Sequence, residues 1–447
     1  MAALWFETAL LPDGWAKGVR LSVTGGLIAA VETDAAARPG DARGAIGLPG
    51  VGDLHSHAFQ RAMAGLAEGR SPAGEDFWSW REVMYRFVGT LTPEDVEAIA
   101  AQAYVEMLEC GFTGVGEFHY LHNDIDGTPY ADPAEMAHRI VAAAQTAGVG
   151  LTLLPVFYAH GGFGGAALSE RQARFQCSAD SFAHLHHHIR GALQDIPGAR
   201  LGIAPHSLRA VTPDELAAIL PLAPDGPIHI HIAEQTAEVE ACLAWSGARP
   251  VAWLLDHADV DARWCLVHAT HMDAAETARL AASGATAGLC PITEADLGDG
   301  LFPAGPYLRA GGAFGVGSDS NVRIDLTEEL RLLEWGQRLA HRARGVAGSG
   351  AELFKAAVAG GARALGEPIA GLAVGAPADV VSLDAEHPSL VGRAGNALLD
   401  GWIFSAGREA VERVWRRGVQ VVDGGRHVRG EAIAHRYRAT LQRILAR

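Results

Sequence analysis

His55 and His57 stand one residue apart at the end of Leu48-Pro-Gly-Val-Gly-Asp-Leu-His-Ser-His57. Side chains alternate along a strand, so both imidazoles leave the same side of it. Two imidazoles so placed are a ready pair of metal ligands. A polar loop that happens to hold two histidines is the plain alternative. Three more stretches carry the same kinds of group: His231-Ile-Ala-Glu234, Val267-His-Ala-Thr-His271 and Gly317-Ser-Asp-Ser320. Imidazoles and a carboxylate suit a divalent ion that activates water. A further carboxyl such as Glu234 suits proton transfer to a leaving nitrogen.

Such groups need a frame that brings them together. Short apolar runs alternate with helical patterns from His57 onward. Strands are expected at 51–54, 113–118, 150–158, 200–204, 228–232, 265–267, 286–289 and 313–316. Thr92-Pro-Glu-Asp95 marks a helix start, with Thr92 as N-cap and Pro93 in the first turn. Other helices are expected near 133–147, 168–193, 212–220, 236–246, 250–255 and 274–283, and from about 326. Eight buried strands with helical crossovers predict a parallel (β/α)8 TIM barrel. The polar groups decide it against an open sheet. His55, His57, His119, Tyr120, His206, His231, Glu234, His268, His271 and Asp319 all fall at strand C-terminal ends, where barrel active sites assemble. No Gly-rich phosphate loop follows the first strand, as an open doubly wound fold would favour.

Residues 1–47 read as short strands, with Gly25-Gly26 as a hairpin turn between two alternating runs. The chain returns to strands after 366, at 375–383 and 411–422, and ends in an exposed helix from Gly430. The expected division is therefore a catalytic barrel over 48–366 and a small discontinuous β-sandwich from 1–47 and 367–447.

Composition limits the function. The chain has 447 residues, 49% hydrophobic and 20% charged, and a net charge of −16. That fits a globular protein with a large core and argues against nucleic-acid or anionic-membrane surfaces. No apolar run is long enough to span a membrane, and the N-terminus has no secretory pattern. Five scattered cysteines without a Cys-x-x-Cys fit a reducing cytoplasm. There are only two lysines, Lys17 and Lys355, and none follows the fourth expected strand.

The His-x-His after strand one, a His after strand five, a His after strand six and an Asp after strand eight together resemble the amidohydrolase superfamily of metal-dependent hydrolases. Gly375-Ala-Pro-Ala-Asp379 is similar to that family's return into its β-sandwich. The resemblance implies metal ligation by His55, His57, His231 and Asp319. Two-metal members use a carboxylated lysine on strand four, so its absence implies one divalent ion, most often Zn2+. Asp319, Glu234 and His268 are the implied catalytic residues: Asp319 takes a proton from water, Glu234 delivers it to nitrogen, and His268 assists the nucleophile or the tetrahedral centre. His231-x-x-Glu234 is similar to the arrangement in the superfamily's deaminases.

Ala58-Phe-Gln-Arg-Ala-Met-Ala-Gly65, Phe77-Trp-Ser-Trp-Arg81, Glu117-Phe-His-Tyr120, Ala204-Pro-His-Ser-Leu-Arg209 and Cys290 to Gly300 look like the branch that deiminates formimidoylglutamate in histidine degradation. This implies a small anionic substrate derived from an amino acid, and a homodimer. Arginine forks suit its two carboxylates. Arg209 and Arg81, the latter in the loop after strand one, are candidate clamps; surface ion pairs are the alternative for each. Gln60, Tyr120 and His206 are candidate neutral hydrogen-bonding partners. Phe77, Trp78 and Trp80 keep open a deaminase acting on a guanine-like or adenosine-like ring, and a silent scaffold of the same fold is the non-enzymatic alternative. His119 and His271 are expected to support the site rather than ligate. The His184 and His186–His188 run is expected on a solvated helix face, and Gly161 to Gly165 as a flexible loop or lid.

Overall fold

The structure is a computed structural model that describes residues 2–68 and 77–446, the side chains of Ala2 and Phe77–Ser79 aside. The expected ring of strands is present. We number its members β1 (Val51–Ser56), β2 (Phe112–His119), β3 (Gly150–Phe157), β4 (Arg200–Leu201 and Ala204–Pro205), β5 (Ile228–Ile232), β6 (Trp264–His268), β7 (Thr286–Leu289) and β8 (Ala313–Val316). Neighbours pair in parallel from β1 to β4 and from β5 to β8. Single bridges close the circle, Ile203 to Ile228 and Ser207 to His231 on one side, Ser56 to Asp319 on the other. The last of these joins the two strand ends that carry the first and last expected ligands.

Strands buried on both faces are rich in apolar residues, as a ring wrapped by helices requires, and their few polar groups need partners. In β5 all of Ile228-His-Ile-His-Ile232 is buried, and His229 is satisfied by a 2.8 Å bond to the Ala364 carbonyl. Where β8 closes on β1, backbones touch. A Cβ at Gly317 would lie 2.6 Å from the His55 oxygen and 2.7 Å from its nitrogen, so only glycine fits. Buried Asp53 locks the same junction. Its carboxylate accepts from the Ser318 hydroxyl at 2.6 Å and from the Ser318 and His55 amides at 3.0 and 3.3 Å.

The helix Pro93–Glu109 starts as predicted: Thr92 and Asp95 form a reciprocal capping box, with proline in the first turn. Expectation and structure part at three places away from the cavity. The stretch 168–193 is a 3-10 turn, Glu170–Phe175, and then a helix Ala179–Leu193 begun by a Ser178 cap. Within that helix His186 is buried, while His184 and His187 are exposed, because four successive positions circle the helix axis. The terminal helix Gly430–Leu445 buries Ile433 and Ile444 and is tied to Pro93–Glu109 by Arg436–Glu97 at 2.6 Å and by Arg443–Asp95.

Both termini build one separate eight-stranded sheet. Its order is Arg426–His427, Val419–Asp423, Val411–Arg416, Val380–Leu383, Ala42–Pro49, Ala2–Leu11, Gly14–Thr24 and Leu27–Glu32. All its pairings are antiparallel except Ala2–Leu11 with Ala42–Pro49. Gly25 and Gly26 turn the expected hairpin with φ of 60° and 81°, the left-handed pair a two-residue loop needs. Phe6 meets Trp415 edge-on at 5.8 Å in its small core. The strand Ala42–Pro49 runs straight into β1, so the sheet sets where His55 and His57 begin.

Candidate active site

Three imidazoles converge at the C-terminal mouth of the barrel. The Nε2 atoms of His55 and His57 are 3.2 Å apart, those of His57 and His231 3.4 Å, and those of His231 and His55 3.1 Å. Asp319 Oδ1 lies 3.3 Å from the Nε2 atoms of both His55 and His57. All four side chains are buried. His57 Nδ1 donates to the Phe118 carbonyl at 2.9 Å, and His231 Nδ1 to the His206 carbonyl at 3.0 Å. With their protons committed there, the two Nε2 atoms turn lone pairs toward the centre. Burial lowers the pKa of each of the three histidines, keeping them in the neutral, ligating form. Lone pairs facing one another across little more than 3 Å, with a carboxylate beside them, fit a divalent cation.

The strand ends that present these groups are strained. Ala233, His268, Ala269, Asp319 and Asn321 adopt φ between 45° and 67°, left-handed backbone that costs L residues about 1 kcal/mol or more each. Such residues lie just after β5, at the end of β6 and just after β8, each beside a candidate catalytic group.

Glu234 and His268 stand above the histidine cluster. His268 Nε2 is 3.8 Å from Glu234 Oε1 and 3.9 Å from Asp319 Oδ2; its Nδ1 is 3.3 Å from Glu294 Oε1. Burial opposes the charge on His268, but the carboxylates of Glu234, Glu294 and Asp319 outweigh it and raise its pKa to about 10. Burial pushes the Glu234 carboxyl up, against the pull of His268 and Arg209. The site thus sets a carboxyl pushed up by burial beside an imidazole that its acidic neighbours help to hold a proton.

A cleft with about 600 Å3 of empty space, open solvent included, lies over this cluster. His57, His231, Asp319, Glu234, His268, Gln60, Arg81, Tyr120, His206 and Arg209 all line it, with His55 beneath them. Gln60 Nε2 donates to the Tyr120 hydroxyl at 2.9 Å. Its Oε1 is buried without a hydrogen-bond partner among the described residues, as is Arg209 Nε. His206 Nδ1 is 3.1 Å from Ser207 Oγ. Arg81 is not in a loop: it belongs to the helix Phe77–Val88, where the ring of Tyr85 on the next turn packs under its guanidinium at 5.1 Å. Its Nη2 donates to the Tyr158 hydroxyl at 3.3 Å. The side chains of Phe77 and Trp78 lie outside the described residues; Trp80 lines the cavity.

His119 is buried behind the pocket and held near pKa 3, mainly by burial, and does not line the cavity. His271 Nε2 donates to the Asp299 carbonyl at 2.8 Å, which ties down the 290–300 loop. In the 161–165 loop, Phe163 stacks on Trp245 at 5.5 Å. Sequence reasoning missed Tyr85, Tyr158 and Phe175 on the cavity wall, and Glu294 behind His268. Tyr158 directly follows β3 as Tyr120 follows β2, a signal that was available. Glu294 sits one turn into the helix Pro291–Leu297, and nothing in its spacing announces His268.

A model of the amidohydrolase family matches residues 46–421, and one for the N-terminal domain of formimidoylglutamate deiminase HutF matches residues 1–45. The chain is 51% identical over 453 residues to a formimidoylglutamate deiminase of Pseudomonas aeruginosa, covering 100% of both. It is 30% identical over 379 residues to a 5-methylthioadenosine/S-adenosylhomocysteine deaminase of Natronomonas pharaonis, covering 82% of this chain and 80% of that one. A crystal structure of an amidohydrolase from Brucella melitensis superposes with a TM-score of 0.97 at 56% identity, over 100% of both chains.

Proposed function

On the premise that this chain belongs to the amidohydrolase family, we propose that it hydrolyses N-formimidoyl-L-glutamate to N-formyl-L-glutamate and ammonia, a step of histidine degradation. The reading rests on the formimidoylglutamate deiminase to which it is 51% identical along its whole length. In the site, one observation supports it most: the partly buried Arg209, whose Nε is buried and unpartnered among the described residues, lining a cavity floored by the three-imidazole cluster. An anionic tail can meet the arginine while a C=N carbon reaches the cluster. Arg81 is the second clamp, and Tyr120, Gln60 and His206 supply neutral hydrogen bonds.

His55, His57, His231 and Asp319 would hold one divalent ion, zinc by the borderline chemistry of this donor set, since no lysine follows β4 to bridge a second. When bound, it lowers the pKa of water to about 7 and so supplies the nucleophile. Asp319 takes the proton released as oxygen adds to the formimidoyl carbon. Glu234, whose carboxyl burial pushes up, gives a proton to the imine nitrogen. His268 donates from Nε2 to the oxygen at the tetrahedral carbon. The proton held by Asp319 and the hydroxyl proton of the tetrahedral carbon return through Glu234: one protonates the nitrogen again and one restores Glu234, so that C=O forms, the C–N bond breaks and ammonia leaves. We read the enzyme further as cytoplasmic and homodimeric.

The ring-deaminase reading draws on the Natronomonas relative and on the aromatic wall of Trp80, Tyr85 and Phe175. Two arginines in one pocket disfavour a neutral ring. Ammonia release measured side by side from formimidoylglutamate, guanine and adenosine separates them. The acyclic substrate alone should turn over; turnover of a ring alone would refute the proposal.

A further inference from the structure

Outside the cavity lining, on the outer face of the helix Ala179–Leu193, two histidines one turn apart converge. The Nε2 atoms of His184 and His188 are 3.2 Å apart and their ring centroids 4.5 Å. Residues at i and i+4 are neighbours on a helix surface, but most exposed side chains there splay into water. Two nitrogens of a tetrahedral zinc centre, each at about 2.0–2.1 Å, stand roughly 3.3–3.4 Å apart. The surface spacing falls within the 3.1–3.4 Å range of the three active-site histidines. The orientation of the second ring is supported from behind. His188 Nδ1 lies 3.6 Å from Asp132 Oδ1, and the other oxygen of Asp132 accepts from His138 Nε2 at 3.1 Å. A carboxylate beside the far nitrogen is how ligating imidazoles are commonly held.

We propose that His184 and His188 form a second, exposed metal site that takes a divalent ion of borderline softness: Cu2+, Ni2+ or Zn2+. Among the described residues no third His, Cys, Asp or Glu joins the pair closely enough to ligate. Water therefore completes the shell, and the ion exchanges readily. Affinity should rise from Zn2+ or Ni2+ to Cu2+, the usual order for nitrogen donors. The alternative is a plain N–H···N hydrogen bond between two neutral rings, which would hold no ion.

Equilibrium dialysis of the full chain, loaded with its active-site ion, against NiCl2 decides between them. The wild type should bind one nickel beyond the resident ion. His184→Gln and His188→Gln should each weaken that binding at least about tenfold and leave ammonia release unchanged. His187→Gln, an exposed neighbour outside the pair, should bind as the wild type does. No excess nickel on the wild type, or equal binding by His184→Gln, would overturn the site. A His187→Gln loss as large as that of His184→Gln would overturn the two-ligand assignment.

Discussion

Arg209 Nη2 lies 3.9 Å from Glu234 Oε2, inside the barrel mouth and beyond ordinary hydrogen-bond reach. The gap leaves room for the guanidinium to turn to a ligand without giving up a tight ion pair. Burial weakens its charge, but the Glu238 and Glu234 carboxylates more than offset this and raise its pKa. Arg209→Ala should therefore raise KM for the dianionic substrate by the worth of a charge-assisted hydrogen bond, about 1.5–3 kcal/mol or roughly 10- to 150-fold. A neutral formamidine should lose far less. Equal losses on both would remove Arg209 from the clamp.

Glu234→Gln keeps the shape of the side chain and removes its transferable proton. Metal content should stay at the wild-type level while kcat falls about 10²- to 10⁴-fold. Activity within a factor of a few of wild type would show that protons reach the leaving nitrogen by another route.

Gly317 is the point where β8 meets His55. Gly317→Ala should cost about 1–3 kcal/mol from overpacking against the His55 backbone and lower metal content per chain, since His55 must move. Denaturant midpoints and elemental analysis read the two effects. A stable variant with full metal would mean that the strand end yields more easily than its contacts imply.

His122 is buried, bonded from Nε2 to the Val156 carbonyl at 2.7 Å, and burial lowers its pKa to about 4. Its ordinary value is near 6.5. The neutral ring thus stabilises the fold fully above pH 6.5, and that contribution is lost as pH falls toward 4, because only the unfolded chain takes the proton. The slope is about 1.4 kcal/mol per pH unit through that window. Unfolding free energies at pH 5.0 and 6.5 should differ less in His122→Gln, by about 1.5 kcal/mol. Parallel profiles for the two proteins would contradict the buried neutral ring.

Much of the barrel and the cluster was legible because both depend on short-range pattern. Apolar runs marked the strands, and the ligating types fell at their ends, where a parallel barrel gathers them. What escaped depended on the third dimension. Arg81 reaches the pocket from a helix that passes over it, and Glu294 meets His268 across 26 positions of chain. His186 was hidden in a run of polar neighbours, because a helix points adjacent residues in different directions. The pairing of His184 with His188 needed rotamers that spacing alone does not specify.

Product analysis of formimidoylglutamate turnover tests the central claim most directly. If Glu234 delivers its proton to the terminal imine nitrogen, ammonia and N-formyl-L-glutamate should form in equal amounts, and removal of the divalent ion should stop both. Release of glutamate with formamide, or product formation that persists at full rate after the ion is removed, would contradict the account.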